Sequence, residues 1–233
     1  MPDFALLESL GIELDTLARE RLGAFHAFLL EENAKMDLTN VPEEEMTLRH
    51  YADSLLPIRH GLVGGHMRFI DVGSGAGFPG LVLAIALPRA QAALLDARRK
   101  RCDFLSNAAE RLGLENVRVL WGRAEDMARP PHREAYDLAL ARAVAPLNVL
   151  CELLLPFVRV GGRALCWKGP ALEAETRAGR KASQMLGGRL GKAVSLGIPE
   201  REHYVQVVDK TAPTPDKYPR KAGLPEKAPL GEA

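Results

Sequence analysis

The stretch Ile70-Asp-Val-Gly-Ser-Gly-Ala-Gly-Phe-Pro-Gly80 decides the fold of this 233-residue chain. It continues a short apolar strand, Arg68–Val72, and leads into an apolar helix predicted over 78–87. Glycine has no Cβ, so three glycines in alternation allow the backbone to turn tightly and a ligand to approach closely. The free N–H groups at the start of the helix favour an anionic group there. The stretch therefore predicts a ligand-binding turn between a strand and a helix.

Short apolar strands alternate with helices after this turn. The predicted strands lie at 68–72, 92–95, 117–121, 137–141 and 163–167, and the predicted helices at 78–87, 100–112, 147–158 and 172–186. Such alternation is typical of a parallel sheet with right-handed crossovers. Two late strands, 193–198 and 203–208, have no helix between them and are expected to pair antiparallel at an edge. The fold class is therefore α/β, with a mostly parallel, seven-stranded sheet.

Three regions are predicted along the chain: an N-terminal helical extension over 1–60, a Rossmann-like domain over 66–210, and a proline-rich, basic tail over 211–233 without secondary structure. The 31 basic and 30 acidic residues give a net charge of +1, so only local basic clusters can indicate nucleic-acid binding. The three cysteines lack metal-ligand spacing, and neither a secretory signal nor a membrane-spanning run is present. We expect a cytoplasmic protein without a metal ion, and a monomer.

Two ligand classes compete for the glycine turn. Gly75-x-Gly77-x-x-Gly80 satisfies the dinucleotide pattern, whereas Asp71 before Gly73-x-Gly75-x-Gly77 resembles the first motif of Rossmann-like methyltransferases, which bind S-adenosylmethionine. Asp96 closes the second strand, where an acid accepts hydrogen bonds from ribose hydroxyls, although it could instead cap the next helix. Ala124-Glu-Asp126 follows the third strand, where methyltransferases hold adenine. These features favour S-adenosylmethionine over a nicotinamide cofactor or a turn without a ligand.

Several short stretches together resemble one family. They are Leu38-Thr-Asn40, Arg49-His50-x-x-Asp53-Ser54-Leu55, the glycine turn, Arg142-Ala-Val144, Lys168-Gly169 and Tyr218-Pro-Arg-Lys-Ala-Gly223. In this order they are similar to the bacterial small-subunit ribosomal RNA guanine-N7 methyltransferases, once called glucose-inhibited division protein B, over residues 25–230. The resemblance implies methylation of N7 of a guanine in 16S ribosomal RNA, as free RNA or in the small subunit. The alternatives are another RNA or protein substrate, an NAD-type oxidoreductase, and a non-enzymatic RNA-binding factor.

The glycine turn and the resemblance together predict the cofactor contacts. The turn contributes Ser74, Gly75 and Gly77, and the resemblance implies roles for Gly73, Phe78, Asp96, Ala97, Arg98, Ala124, Glu125 and Arg142. The family usually has a small residue near Arg98. Arg142 and Lys168 follow the fourth and fifth strands at the ligand end of the sheet and are the candidate catalytic residues. The alternatives are a buried salt bridge for Arg142 and a surface ion pair for Lys168.

Cationic and aromatic side chains predict the RNA contacts. Arg99, Lys100 and Arg101 form a run of cations that is expected to contact phosphates, unless it is only a solvated charged face. In the tail, cations flank Tyr218, an arrangement that binds RNA bases by stacking, unless the tail packs on its own domain. His50 and Asp53 share one helix face, so His50 contacts either RNA or the core. The complete predicted set is Arg49, His50, Arg99, Lys100, Arg101, Lys168, Tyr218, Arg220 and Lys221.

Overall fold

The computed structural model describes residues 1–199 and 201–232, and within them one sheet of seven strands organises the chain. The strands are β1 (Arg68–Val72), β2 (Gln91–Asp96), β3 (Val117–Trp121), β4 (Tyr136–Arg142), β5 (Val158–Lys168), β6 (Gly188–Ser195) and β7 (Tyr204–Lys210). Their order is β3-β2-β1-β4-β5-β7-β6. Strands β1 to β5 pair in parallel, and β7 pairs antiparallel with both β5 and β6. The predicted fold class is confirmed.

Helices cover both faces of the sheet. They are α1 (Phe4–Ser9), α2 (Thr16–Asn33), α3 (Glu43–Met46), a π-helix (Thr47–Ala52), α4 (Asp53–Arg59), α5 (Gly80–Ala86), α6 (Arg99–Arg111), α7 (Ala124–Met127), α8 (Leu147–Leu154), a 3-10 turn (Leu155–Phe157), α9 (Leu172–Met185) and α10 (Leu224–Lys227). Among residues 1–199 and 201–232, none of these helices has the length and apolar character needed to cross a membrane.

Residues that alternate along β1 separate two hydrophobic clusters in the described part of the chain. Phe69 belongs to the cluster with α2, α4, α5 and α6, whereas Ile70 and Val72 belong to the cluster with α8, α9 and the tail. This alternation follows from the two-residue period of a strand. The N-terminal helices therefore share their core with one face of the sheet, and Phe25 of α2 lies 5.7 Å from the Phe78 ring at the glycine turn.

The start of β5 differs from the prediction. The helix predicted over 147–158 ends at Leu154, a 3-10 turn follows, and β5 begins at Val158 instead of 163. Pro156 lacks an N–H group and does not continue an α-helix. The strand then passes through Gly161 and Gly162, where a Cβ on Gly162 would lie only 2.5 Å from the Asp137 carbonyl oxygen. Glycine thus permits a bulged strand where the sequence indicated a turn.

The tail packs on the domain, which was the alternative to the predicted RNA contact. Tyr218 is buried within the second cluster, and Arg133 donates hydrogen bonds to the carbonyl oxygens of Thr214 and Tyr218. The Arg220 guanidinium forms a fork with the buried Glu152 carboxylate, with N–O distances of 2.6–3.1 Å. The tail also contains the short helix α10, so the prediction of a tail without secondary structure is wrong.

Replacing Arg220 with Ala should destabilise the fold by about 3 kcal/mol, because Glu152 would be left as a buried carboxylate without a cation. Urea unfolding measures this loss. The matched control is Lys221→Ala, which also removes one positive charge from the tail, but at an exposed side chain, and should change the free energy of unfolding by less than about 0.5 kcal/mol. Equal losses in the two variants would show that the fork does not hold the tail.

Candidate cofactor-binding and active site

The glycine turn connects β1 to α5 through backbone conformations that favour glycine. Gly73, Gly75 and Gly77 have φ angles of +78°, +54° and +92°. Other residues adopt this region only at a cost of about 1–2 kcal/mol each. The N–H groups of Gly73 and Ser74 both donate to the Leu95 carbonyl oxygen, at 2.8 and 3.1 Å. The turn is therefore attached directly to the end of β2.

Two buried carboxylates hold this turn from either side. Asp71 Oδ2 accepts a hydrogen bond from Gly80 N at 2.9 Å. Asp96 Oδ2 accepts from Gly75 N at 2.9 Å, and Asp96 Oδ1 accepts from Arg98 N at 2.8 Å. Asp96 thus ties the glycine turn to the turn before α6, but it does not cap that helix as the alternative predicted, because the N-cap is Arg98 and no side chain accepts a capping hydrogen bond there. Because each carboxylate oxygen can accept more than one hydrogen bond, Asp96 can also receive a ribose hydroxyl.

A cavity opens beside Asp96 at the carboxyl ends of β1, β2 and β3, where ligands bind in open α/β sheets. Its walls include the apolar residues Val72, Leu95 and Leu153. It brings together five of the predicted cofactor residues, namely Gly73, Asp96, Ala97, Ala124 and Glu125. Apolar walls with an acid at the end of β2 fit an adenosine. Beneath the turn, Asp71 Oδ1 is buried without a hydrogen-bond partner in the described chain.

Val144, the last residue of the stretch Arg142-Ala-Val144 in the family resemblance, and Glu226, which the sequence did not indicate, also line the cavity. Val144 follows β4, and its Cγ2 would lie 2.7 Å from a Cβ placed on Gly73. Glu226 comes from α10 in the tail. Glu125 explains the second placement, since its Oε1 accepts hydrogen bonds from Gly223 N at 2.8 Å and from Arg123 at 3.0 Å. The tail therefore reaches the rim of the cavity.

The other predicted cofactor residues support the turn instead of lining this cavity. Ser74 is buried and donates its hydroxyl to the Asp71 carbonyl oxygen at 2.9 Å. Phe78 is buried between Phe25 and the His50 ring. Gly77 closes the turn by donating its N–H to the Ser74 carbonyl oxygen. The side chain of Arg98 is exposed, and only its backbone N–H contacts Asp96.

Arg142 lies at the end of β4 beside the turn, in a buried salt bridge. Its Nη1 donates to Asp53 Oδ2 at 2.7 Å and to the Arg49 carbonyl oxygen at 2.9 Å. Its Nη2 donates to His50 Nδ1 at 3.0 Å. The guanidinium carbon is 5.4 Å from the centre of the Phe78 ring. Arg142 thus forms the buried salt bridge that was the alternative prediction, and it does so at the position predicted for the active site.

His50 is part of this cluster and does not face RNA as predicted. The ring is buried and stacks on Phe78 with centroids 4.3 Å apart. Burial and the nearby Arg142 charge lower the pKa of His50 to about 3, so the ring is neutral. Because Arg142 can only donate, Nδ1 accepts, and Nε2 carries the proton that it donates to Thr39 Oγ1 at 2.7 Å. The structure therefore agrees with the alternative prediction for His50, a hydrogen bond between its helix and the core.

Lys168 forms an ion pair, which was the alternative prediction for this residue. Its ammonium lies 2.6 Å from the Glu175 carboxylate and donates to the Ala145 carbonyl oxygen at 3.2 Å. Glu175 in turn accepts the Leu147 N–H at 2.6 Å. The ion pair therefore holds the loop between β4 and α8, and it is largely buried instead of lying at the surface as the alternative predicted.

The predicted RNA cations differ in how accessible they are. Lys100 is exposed, and Arg99 is exposed but paired with Asp103 at 3.1 Å and stacked over Trp121. Arg101 is partly buried, 3.9 Å from Asp96. Arg49 pairs with Glu45 at 2.7 Å, and Lys221 is exposed. Tyr218 and Arg220 are held in the packed tail, where burial and the Glu152 pair remove them from a stacking role.

This strand order, with a glycine turn after β1 and an acid after β2, defines the fold of S-adenosylmethionine-dependent methyltransferases. The chain is similar to the solved structure of a SAM-dependent methyltransferase from Aquifex aeolicus, with a TM-score of 0.54 and 19% identity, covering 76% of this chain and 97% of that one. At this identity the likeness shows the fold, which agrees with the prediction.

The particular family follows from closer matches. Residues 18–204 match the family model described as rRNA small subunit methyltransferase G. The chain is 43% identical over 227 residues to the ribosomal RNA small subunit methyltransferase G of Alkaliphilus metalliredigens, covering 96% of this chain and 95% of the relative. It is 38% identical over 231 residues to the protein of that name from Streptococcus pyogenes serotype M3, covering 97% and 98%.

The chain belongs to the rRNA small subunit methyltransferase G family. Membership confirms the predicted family and the predicted class, an S-adenosylmethionine-dependent methyltransferase. It also argues against the hypothesis of an NAD-type oxidoreductase, because that hypothesis rested only on the dinucleotide pattern of Gly75, Gly77 and Gly80.

Asp71 should make stability depend on pH. Burial raises the pKa of Asp71 to about 7, from an ordinary value of 3.8. Between these values the folded chain keeps a proton that the unfolded chain releases, so this contribution to stability falls as pH rises and is constant above about pH 7. Urea unfolding at pH 5, 6, 7 and 8 tests this. The free energy of unfolding of Asp71→Asn, relative to that of the wild type, should therefore increase with pH up to about pH 7 and then stay constant. A difference that does not change with pH would contradict this prediction.

Proposed function

We propose that the chain transfers the methyl group of S-adenosylmethionine to N7 of a guanine in 16S ribosomal RNA. The observation that carries the proposal is the cavity between Asp96 and Ala124–Glu125, beside a glycine turn in a member of an rRNA methyltransferase family. Family membership supports the RNA substrate and the guanine atom. The small ribosomal subunit or its free RNA is then the partner, and the chain acts as a monomer in the cytoplasm.

The residues of the cavity fit an adenosine at three points. Gly73 presents bare backbone at the cavity wall, and its missing Cβ lets Val144 pack against the turn as part of that wall. Asp96 is placed to receive the ribose hydroxyls, and the apolar side chains of Val72, Leu95 and Leu153 offer a surface for the adenine ring. Arg142 lies beyond the turn, on the side where the amino-acid end of the cofactor would extend. Ser74, Phe78 and Gly77 hold the turn in the shape that this arrangement needs.

In this reaction the main task of the protein is to align the methyl donor with guanine N7. When bound, S-adenosylmethionine supplies an electrophilic methyl group on a sulfonium. Guanine N7 carries a lone pair and no proton, so no residue has to act as a base before the attack. Holding two reactants in line contributes roughly 7–11 kcal/mol. This agrees with a site in which Arg142, His50 and Lys168 all have partners and none is arranged as a nucleophile.

Methyl transfer to RNA tests the proposal directly. Small subunits and naked 16S RNA from cells that lack this protein are incubated with the enzyme and tritiated S-adenosylmethionine, and nuclease digests are examined by mass spectrometry. We expect a single 7-methylguanosine. Label on protein alone, or on another base atom, would contradict the proposal.

Gly75→Val is the inactive variant for this experiment, and Gly61→Val is its control. Both glycines have positive φ, at +54° and +67°, so valine strains the backbone at both. At Gly75 the new side chain also stands at the turn, 3.4 Å from Arg101 Nη1, whereas nothing lies within 4 Å at Gly61. We expect Gly75→Val to lose methylation and Gly61→Val to retain it. Equal activity in the two variants would contradict the placement of the cofactor at the turn.

The basic run in the first turn of α6 should contribute to RNA affinity. Replacing Arg99 and Lys100 with Ala should lower the slope of log affinity against log salt by roughly 1.5, at about 0.7–0.9 per phosphate contact. The matched control is Arg189→Ala with Lys192→Ala on β6, at the opposite edge of the sheet. Each pair contains one arginine bonded to an aspartate and one exposed lysine. Equal slopes for the two double variants would contradict an RNA contact at α6.

A further inference from the structure

A single buried carboxylate connects three distant segments next to the site. Asp53 is fully buried at the start of α4, directly after the π-helix. Its Oδ2 accepts from Arg142 Nη1 at 2.7 Å, and its Oδ1 lies 2.9 Å from His203 Nδ1. Its backbone carbonyl oxygen accepts from Trp167 Nε1 at 2.9 Å. The N-terminal segment, the end of β4 and the residue before β7 therefore meet at Asp53.

The chemistry of these groups determines which atom donates each hydrogen bond. A carboxylate has no proton to donate and only accepts hydrogen bonds. His203 Nδ1 must therefore carry a proton, which it donates to Asp53 Oδ1. Asp53 then has one donor on each oxygen, and its carboxylate plane is held by both. Without the His203 donor, Oδ1 would lose this hydrogen bond, and Arg142 would be the side chain that orients the carboxylate instead of being oriented by it.

Arg142 still has donors available. A guanidinium has five N–H donors, and three of these bind the Arg49 carbonyl oxygen, His50 and Asp53. Its Nε–H and one Nη2–H have no partner among residues 1–199 and 201–232. All three partners come from the N-terminal segment, on one side of the guanidinium. The two remaining donors are those that an anion at the glycine turn can use.

We propose that His203 is a positioning residue: through Asp53 it fixes the Arg142 guanidinium so that the free donors bind the carboxylate at the amino-acid end of S-adenosylmethionine. The proposal rests on the proposed function, because it assigns the cofactor to the glycine turn. His203 itself touches neither cofactor nor RNA. The N-terminal helical segment thereby gains a role as the frame that orients a cofactor-binding arginine.

Calorimetric titration with two ligands tests this. S-adenosylhomocysteine has the amino-acid carboxylate, whereas 5′-methylthioadenosine has the same adenosine and sulfur without the amino acid. His203→Ala should weaken binding of S-adenosylhomocysteine about tenfold, the size expected for a hydrogen bond to a charged group, and leave 5′-methylthioadenosine within about twofold. His203→Asn places an amide N–H at the position of Nδ1 and should restore nearly full affinity for S-adenosylhomocysteine.

A second variant keeps the test valid if His203→Ala does not fold. His203→Gln retains a polar side chain but places its amide at the position of Nε2, so it should behave as His203→Ala does. Equal weakening of both ligands, or unchanged affinity for both, would overturn the positioning role. Failure of the wild type to bind either ligand would instead contradict the proposed function, so the two failures are distinguishable.

Discussion

The Asp96 carboxylate joins the glycine turn to the second strand–helix junction, and the rest of the site depends on this joint. One oxygen holds Gly75 N and the other holds Arg98 N. The turn can meet Asp96 because Gly73, Gly75 and Gly77 adopt positive φ angles that other residues adopt only with strain. The joint brings the carboxyl ends of β1, β2 and β3 around one cavity. The acid that holds the turn is therefore the same acid that we propose binds the ribose.

A second set of contacts places the remaining groups around that cavity. The N-terminal helices share their core with the sheet and bring Arg49, His50 and Asp53 to the guanidinium of Arg142. On the other face, the tail packs by the Glu152–Arg220 fork and brings Glu226 to the rim of the cavity. Both ends of the chain thus support the site, although the sequence presents them as extensions of a central domain.

The strands and the glycine turn were predictable because their signals are local. The apolar residues of β1 and the glycine spacing are visible in a few consecutive residues, and Asp96 follows from its place at the end of β2. The partners of charged side chains were not predictable, because Glu175 pairs with Lys168 and Glu152 with Arg220 only after the chain folds. The pattern of His50 and Asp53 shows a shared helix face but not what covers it. Glu226 belongs to no motif, and the motif Arg142-Ala-Val144 does not show that the Val144 side chain lines the cavity.

The most direct measurement is a crystal structure of the chain grown with S-adenosylhomocysteine. The account predicts the ribose against Asp96, the adenine near Ala124, and the amino-acid carboxylate directed toward the free donors of Arg142. A ligand bound away from the glycine turn, or a cavity still filled by the side chains of Val144 and Glu226 at saturating ligand, would contradict it.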